Sequence, residues 1–293
     1  MVEICTAVLT LAAVPVTVLA TLSPETSPRL QRARGTGRIS TGMRDGVTRI
    51  GALYQEGAAK IRLPNTHDNS LQAVLMNTAG GLTGGDAFDW HGEATPHGHL
   101  VLTTPACERV YRSLGTDAVV ANRLIAHENA RIDWLPQETI LFEGARLRRT
   151  LEVDLAEGAT LLAVEAILLG RQAMGESALA ARLSDTWRIR RNGRLIHAEA
   201  TSLNADLRER QSLSLLDGAL AFATVLYIGA DAPRKLDAAR ALLPAGASAA
   251  ASAIGERLIV RFTAPSGLAL RRLMVPIIAM LSSAGSLPRL WHL

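Results

Sequence analysis

Cysteine is scarce in this sequence. The 293 residues contain two cysteines, Cys5 and Cys107, and only Cys107 lies in the body of the chain. No disulfide can form within that body, which is typical of a protein from a reducing compartment and predicts a cytoplasmic location. Cys107 is expected to be a small buried side chain, with a thiolate ligand or nucleophile as the alternative.

Aromatic residues are also few, at 4% of the chain, and the positive charge is not clustered. The formal net charge of +4 comes mainly from arginines that are scattered among apolar segments. A nucleic-acid-binding face needs clustered positive charge and usually aromatic rings for stacking, so this class of protein is disfavoured. A basic surface that meets an acidic protein partner agrees better with the pattern.

The motifs of common enzymes are missing as well. The sequence has no Gly-x-Ser-x-Gly elbow, no His-Glu-x-x-His pair and no cysteine–histidine arrangement in a usable local context. An unusual acid is Glu165, because the rest of residues 161–169 is apolar. A buried carboxylate needs a partner, and nearby Arg171 is the candidate.

Residues 4–22 carry no charge, and their number is that of a membrane span. Pro15 lies in the middle of this segment, four threonines dilute it, and no Lys or Arg precedes it. These features predict that residues 1–28 are an apolar extension outside the fold and that residues 29–293 form a single domain. A packed segment and contact with a membrane are the alternatives, of which membrane contact is the less favoured.

A glycine-rich loop at residues 77–86, Asn-Thr-Ala-Gly-Gly-Leu-Thr-Gly-Gly-Asp, organises the chain. Residues 71–76 lead into it as a strand, and Phe88 and Trp90 continue after it in strand-like fashion. A phosphate-binding loop needs a helix after the glycines, with a lysine in the P-loop version, and neither follows here. We therefore predict a tight corner between strands, in which Asp86 caps backbone amides. A role in a partner surface or a polar channel is the alternative.

Short apolar segments with a period of two predict an all-β body from residue 38 to about residue 230. These segments are residues 49–54, 60–63, 71–76, 99–104, 119–126, 130–135, 146–153 and 160–167. Asn192-Gly193 predicts a hairpin, and Asp217-Gly218 predicts a second one between strands at residues 213–216 and 219–228.

Two helices are expected near the C-terminus. Asp231 is the predicted N-cap of the first, and Ser266 caps the second, which spans residues 267 to about 283. Between them, residues 245–253 are expected to be a flexible connector and residues 257–263 a strand.

His97 and His99 lie two residues apart, a spacing that places both imidazoles on one face of a strand. Such a pair can contact a metal, although two ligands alone make a weak or transient site. Ordinary strand or loop histidines are the alternative interpretation.

Four segments, in this order, resemble a known family: residues 77–86, 103–113, 135–145 and 170–176. The residues that mark the family within them are Asn77, Gly80, Gly81, Gly84, Gly85, Tyr111, Arg112, Pro136, Gln137, Gly170, Arg171 and Gly175. Residues 54–62 and the C-terminal residues 287–291 are similar as well. Over about residues 30–293 the chain resembles the urease accessory protein UreD, also called UreH.

This resemblance implies a mainly β fold of two stacked sheets wound as a flattened, β-helix-like solenoid, with two α-helices near the C-terminus. It also implies a non-enzymatic maturation factor, or chaperone, that forms a complex with UreF and UreG and binds the urease apoprotein. The complex assists nickel insertion, and UreG hydrolyses the GTP, which agrees with the missing P-loop. No tightly bound cofactor is implied, and nickel is expected only in transit.

Matched by motif, Asp86, Glu138 and Glu176 are the acids expected to line a nickel route, because carboxylates can relay a divalent cation without holding it tightly. His99 joins them as a candidate ligand. The C-terminal helix and nearby strands are expected to meet UreF. Two other classes stay open: a small-molecule-binding enzyme of the β-helix or sandwich type, and a binding module anchored to a membrane by residues 4–22.

Overall fold

Alternation of inward and outward side chains continues through most of the chain and produces a β architecture. The computed structural model describes residues 31–66, 68–282 and 287–292. Within them lie the strands β1 (Arg34–Arg44), β2 (Val47–Gly57), β3 (Ala59–Arg62), β4 (Leu71–Asn77), β5 (Ala87–Ala94), β6 (His99–Thr103), β7 (Glu108–Val110), β8 (Ala118–Ala126), β9 (Arg131–Leu135), β10 (Thr139–Leu141), β11 (Arg146–Leu155), β12 (Thr160–Leu169), β13 (Arg182–Arg191), β14 (Arg194–Asn204), β15 (Ala221–Ile228), β16 (Ala249–Ile254) and β17 (Arg257–Ala264). The α-helices in the same ranges are α1 (Leu207–Gln211), α2 (Leu236–Ala241) and α3 (Gly267–Leu281).

The strands form two sheets, and the chain passes from one to the other as it proceeds. Sheet A has the order β14-β13-β11-β8-β5-β1-β2, and sheet B has the order β16-β17-β15-β12-β9-β6-β4-β3. In the centre of each sheet, neighbouring strands are parallel. These strands are β1-β5-β8-β11-β13 in sheet A and β4-β6-β9-β12 in sheet B. Each turn of the chain therefore adds one strand to each sheet, as in a solenoid. The predicted fold of two stacked sheets wound as a flattened β-helix is confirmed.

The two faces of sheet B carry two apolar cores. Inward side chains of both sheets pack against each other between the sheets. The outward side chains of β12, β15 and β17 pack under the helices α2 and α3. Helix α3 begins where Ser266 Oγ accepts a hydrogen bond from the Ala269 amide, as predicted, and it buries Leu270, Met274 and Ile277 against sheet B. Sheet A has no such cover among the described residues, so its outer face is exposed.

Two of the predicted segments differ in the structure. Residues 213–216 are turns after α1 rather than a strand, although Asp217 and Gly218 do have the positive φ angles of a tight turn, 47° and 76°. The Gly218 amide donates to the Arg210 carbonyl, so this turn closes back on α1 instead of pairing two strands. Most of the expected connector, residues 245–253, lies in β16, because pairing with β17 overrides the weak strand propensity of alanine.

The predicted hairpin at Asn192-Gly193 forms, whereas the predicted helix cap at Asp231 does not. Asn192-Gly193 joins β13 to β14 with φ angles of 48° and 78°, which confirms the hairpin. Asp231 precedes the first C-terminal helix, but its carboxylate accepts from Tyr227 Oη at 2.7 Å and does not cap the helix. Residues 32–293 form one compact unit. The predicted extension at residues 1–28 lies outside the described residues, and its boundary stays a prediction. Of the helices that are described, none is both long and apolar enough to span a bilayer.

Candidate functional site

The four segments that carry the resemblance come together along one edge of the solenoid. The glycine-rich loop leads from β4 in sheet B to β5 in sheet A, and β7 and β10 form a short third face there. On this face Leu82 pairs with Val110, Val110 with Leu141, and Leu141 with Leu169, all in parallel register. All four side chains are buried. We call this edge the stacked corner, and it consists of residues 77–86, 103–113, 135–145 and 169–176.

Glycine is required at the stacked corner for steric reasons. Gly81 has φ +140°, and a Cβ atom there would lie 2.7 Å from the Arg109 carbonyl oxygen and 2.5 Å from the Tyr111 ring. The Tyr111 ring lies over the loop, and its hydroxyl donates to the Gly80 carbonyl at 3.2 Å. The loop therefore connects two strands at a corner, as predicted, and its glycines allow the next coil to pack directly on it.

Asp86 holds this corner closed. Its Oδ1 accepts from the Ala33 amide and its Oδ2 from the Thr83 amide, both at 2.8 Å, and the residue is 4% exposed. Because both carboxylate oxygens accept backbone amides, Asp86 caps the loop and ties it to the start of β1. The predicted capping role is confirmed, whereas contact with nickel stays a prediction.

Glu138 links the stacked corner to the C-terminal segment. Arg271 of α3 forms an ion pair with it at 3.0 Å and donates to the Leu290 carbonyl at 2.7 Å, and its guanidinium lies 4.9 Å from the Trp291 ring centroid. The Cys107 thiol donates to Glu138 at 3.4 Å. Burial and the neighbouring Glu138 raise the pKa of Cys107 to about 11, so a thiolate is disfavoured at neutral pH.

Glu176 lies in the exposed part of the stacked corner. It pairs with Arg171 and accepts from the Glu143 amide at 2.7 Å. The hydrogen bond from Arg171 lowers the pKa of Glu176. Arg171 also stacks over the Phe142 ring at 4.6 Å. Glu176 thereby fixes the loop that follows β12.

His99 lies away from the stacked corner, near the C-terminal end of α3. Its Nε2 is 3.0 Å from Asp133 Oδ2, and Arg131 donates to Oδ1 of the same carboxylate at 2.8 Å. Although burial opposes the charged form, Arg131 and His99 lower the pKa of Asp133. Arg131 in turn donates to the Leu281 carbonyl, so this network anchors α3. His97 lies in the turn before β6, with φ +61°, so the expected placement of both histidines on one strand is wrong.

The structure does not gather the four predicted ligands, Asp86, Glu138, Glu176 and His99, into one place. In the ranges that are described, no group of three or more His, Cys, Asp or Glu side chains is arranged to hold a metal ion. Each of the four already has a protein partner. Their contact with nickel is not tested by this geometry and stays a prediction.

Behind the stacked corner, between the sheets, lies a cavity of about 180 Å³ that we call the corner cavity. Its wall is largely apolar, with Leu75, Phe88, Trp90 and Trp134 among the lining residues. Polar side chains among its lining residues include Asn77, Glu108, Asn122, Thr139, Arg149 and Glu165. A polar group in a largely apolar cavity is unusual, and three of these groups carry ionisable side chains.

Glu108 is an ionisable group of the cavity that contacts the glycine loop. Its carboxylate accepts from Asn77 Nδ2 at 3.3 Å. Burial raises the pKa of Glu108 to about 7, because the hydrogen bond from Asn77 and the charges of nearby arginines only partly offset the loss of hydration. Glu108 therefore changes its charge close to neutral pH.

Arg149 occupies the deep end of the corner cavity and meets two carboxylates. Its guanidinium is 2.7 Å from Glu165 and 2.6 Å from Asp185, and it donates to Thr139 Oγ1 at 3.1 Å. The sequence suggested Arg171 as the partner of Glu165, and this was wrong. Arg171 lies on the outside of the corner, whereas Arg149 lies at an inward position of β11.

Burial raises the pKa of Glu165, even though Arg149 opposes the shift. For Arg149 burial acts against the charge, but Asp185 and Glu165 raise its pKa, so it stays protonated. The hydrogen bonding in this group is incomplete. Trp134 donates to Glu165 Oε1 at 3.1 Å, and Glu165 Oε2 has the ion pair with Arg149, but Asp185 Oδ1 and Arg149 Nε are buried without a hydrogen-bond partner.

The polar groups continue from Arg149 along the axis of the solenoid. Glu165 lies opposite Thr224 in the neighbouring strand, and Thr224 Oγ1 donates to Glu199 at 3.2 Å. Arg261 forms an ion pair with Glu199 at 2.9 Å. Although burial opposes the charged form, His197 and Arg261 lower the pKa of Glu199.

We call this row the polar seam: Arg149, Glu165, Asp185, Thr224, Glu199 and Arg261, of which Arg261 is largely exposed. It ends in a second, larger cavity of about 940 Å³, lined by Glu199, Thr224 and Arg261, which we call the end cavity. The end cavity lies where β17 and β16 extend sheet B beyond β14, the last strand of sheet A. The seam therefore has members in the lining of both cavities, Arg149 and Glu165 in the corner cavity and Thr224, Glu199 and Arg261 in the end cavity.

Sequence reasoning missed Glu108, Arg149, Asp185 and Glu199. The available signal was a charged residue at an inward position of a strand, as in residues 146–155, where Leu147, Leu151 and Val153 share the face of Arg149. Arg148 and Arg149 are adjacent, and only the strand register shows which of the two points inward.

Comparisons with known proteins agree with the resemblance. The profile of the family described as UreD urease accessory protein matches residues 33–292. A protein of Chelativorans sp. (strain BNC1) named urease accessory protein UreD is 57% identical over 274 residues, which is 93% of this chain and 99% of that protein. Its counterpart from Rhizobium etli is 51% identical over 92% of this chain and 98% of its own length. Urease accessory protein UreD 1 of Brucella melitensis biotype 1 is 47% identical over 265 residues, which is 89% of this chain and 95% of that protein.

Proposed function

The chain belongs to the UreD urease accessory protein family, and from this we propose that it binds apo-urease together with UreF and UreG and assists GTP-dependent insertion of nickel. Its own part is non-enzymatic. The glycine-rich loop supports this view, because it connects two strands and offers no helix N-terminus or lysine to a phosphate. The GTP is then hydrolysed by a partner, UreG.

The further part of the proposal is that nickel in transit passes through the interior of the solenoid. The observation that carries it is the polar seam, a buried row of carboxylates between two cavities. Carboxylates are ligands that a divalent cation accepts and exchanges readily when they do not form a closed cage. Two buried acids that share one guanidinium, Glu165 and Asp185, are costly in an apolar core unless they serve a ligand, and Asp185 Oδ1 has no partner at all.

In this proposal the residues of the stacked corner have a different task. Asp86 and Glu138 keep the wall of the corner cavity in shape through their backbone and Arg271 contacts. They remain candidates for brief contact with nickel, as do Glu176 and His99. The surface that meets UreF is expected at α3 and the neighbouring strands.

Co-expression with the urease subunits and the other accessory proteins tests the proposal. A double variant, Glu165→Gln with Asp185→Asn, is expected to keep UreF and apo-urease in a pull-down but to lower the nickel content and activity of urease at least tenfold. Glu152→Gln is the matched control, because Glu152 lies on β11 with an exposed side chain.

Two outcomes would contradict the proposal, in separate parts. Normal nickel loading by the double variant, with the complex intact, would remove the polar seam from the route. Failure of the wild-type protein to recover UreF or apo-urease would remove the proposed complex.

A further inference from the structure

The polar seam has a positive charge at its centre, which is unexpected in a route for a divalent cation. Arg149 is buried, and its guanidinium lies between the carboxylates of Glu165 and Asp185 at 2.7 and 2.6 Å. Like charges repel strongly where water is excluded, so a divalent cation cannot take a place beside this guanidinium. The position between two buried carboxylates is also the one that such a cation would favour.

On the basis of the proposed function, we propose that Arg149 is the gate of the interior route. Its side chain is a tethered cation that occupies the place of the divalent cation between Glu165 and Asp185. The route opens when the guanidinium leaves both carboxylates and moves into the corner cavity.

The structure offers this movement both space and a partner. The corner cavity, about 180 Å³, lies directly beside Arg149 and is lined by it. Glu108 lines the same cavity and lies opposite Thr139 in the pairing of β7 with β10. Thr139 Oγ1 accepts a hydrogen bond from Arg149 at 3.1 Å. Glu108 is thus the alternative carboxylate for the guanidinium, because it lies directly opposite Thr139, which Arg149 already contacts.

Incomplete hydrogen bonding of Arg149 agrees with a side chain that changes partners. Its Nε has no acceptor and Asp185 Oδ1 has no donor, while Glu165 Oε2 lies 2.7 Å from Arg149 Nη1 without hydrogen-bond geometry. A purely structural ion pair is expected to satisfy these atoms, because buried unsatisfied polar atoms are costly. Two alternative carboxylate sets, Glu165 with Asp185 or Glu108, give the two states that a gate requires.

The first test measures nickel binding by the purified full-length protein. Replacing the guanidinium, as in Arg149→Gln, leaves two buried carboxylates without a cation. The variant is expected to bind one Ni²⁺ per chain at least tenfold more tightly than the wild type in calorimetry, and Ni²⁺ is expected to raise its Tm but not that of the wild type. A variant that folds and binds Ni²⁺ no better than the wild type would overturn the gate.

The second test does not depend on the stability of that variant. Glu108→Gln removes the alternative partner of Arg149 while relieving a buried charge. We expect the purified variant to be at least as stable as the wild type, and yet to lower the nickel content of co-expressed urease at least fivefold with the complex intact. Normal nickel loading by Glu108→Gln would show that Arg149 has a structural role only.

Failure of the gate and failure of the route give different results. If the Glu165→Gln, Asp185→Asn double variant loses nickel loading while Glu108→Gln loads normally, the route stands and the gate is wrong. If the double variant also loads urease normally, the route is wrong and the gate with it.

Discussion

The acids of the stacked corner and the acids of the polar seam look alike in the sequence but differ in their surroundings. Asp86 and Glu138 have their carboxylates engaged by backbone amides or by Arg271. Glu165 and Asp185 share one guanidinium, and Asp185 keeps an oxygen without a donor. Satisfied acids hold a structure together, whereas incompletely satisfied ones are available to a ligand. The difference separates acids with a structural role from the acids that we propose as ligands of a cation.

The largest effect on stability is expected in the polar seam. Arg149→Met, studied with a metal chelator present, leaves two buried carboxylates without a counter-charge. We expect the free energy of unfolding to fall by about 3–5 kcal/mol in urea titrations. Combining it with Glu165→Gln is expected to restore part of the loss. A loss below about 1 kcal/mol would mean that water or a rearranged side chain stabilises the two carboxylates in place of the guanidinium.

A somewhat smaller loss is expected in the stacked corner. Asp86→Ala leaves the Ala33 and Thr83 amides without an acceptor, and we expect a loss of about 2–4 kcal/mol because each buried unsatisfied group costs about 1–3 kcal/mol. Asp86→Asn is the matched control, since it retains one acceptor oxygen. If both variants load urease with nickel normally once corrected for the amount folded, Asp86 has only its structural role.

Glu108 is expected to give an effect of the opposite sign. Its pKa is raised from 4.5 in the unfolded chain to about 7 in the folded protein, so the folded state holds the proton more tightly. The resulting stability is complete below about pH 4.5 and is lost as the pH rises through about 7. Glu108→Gln is therefore expected to exceed the wild type by about 1–3 kcal/mol at pH 8 and to approach it near pH 5. A difference that does not change with pH would contradict the raised pKa.

The smallest effect is expected at Glu176, which belongs to the exposed part of the corner. Glu176→Gln keeps an acceptor for the Glu143 amide and loses only the charge contact with Arg171, whose side chain is half exposed. The free energy of unfolding should fall by less than about 1 kcal/mol. A larger loss in thermal or urea unfolding would show that the corner depends on this ion pair, and would weaken the contrast with the seam.

Much of the architecture could be predicted from the sequence because it depends on local patterns. Period-two alternation located most strands, and the glycines of residues 77–86 predicted the corner. The stacking of four corners was not predictable, because Leu82, Val110, Leu141 and Leu169 meet only through the register of successive coils.

The same reason explains the fate of the candidate site. Motif matching found Asp86, Glu138 and Glu176, whose contacts hold the corner in shape and whose contact with nickel stays a prediction. It could not find the pairing of Arg149 with Glu165 and Asp185, because the three residues lie on three strands of two sheets. The only local sign of this pairing was a charged residue at an inward position of an apolar strand. Because Arg148 and Arg149 are adjacent, the sequence does not show which of them points inward.

The uncovered outer face of sheet A has a consequence for how the protein behaves in solution. Arg38, His91, Arg123, Glu152 and Arg188 lie side by side across five strands of that face. A bare sheet without such a row would readily stack on a second copy or pair along its free edges. We expect the row to take the place of the cover that α3 gives to sheet B, because hydrated side chains of mixed charge oppose stacking of two copies. Part of the basic character of the chain is then expected to protect it against aggregation.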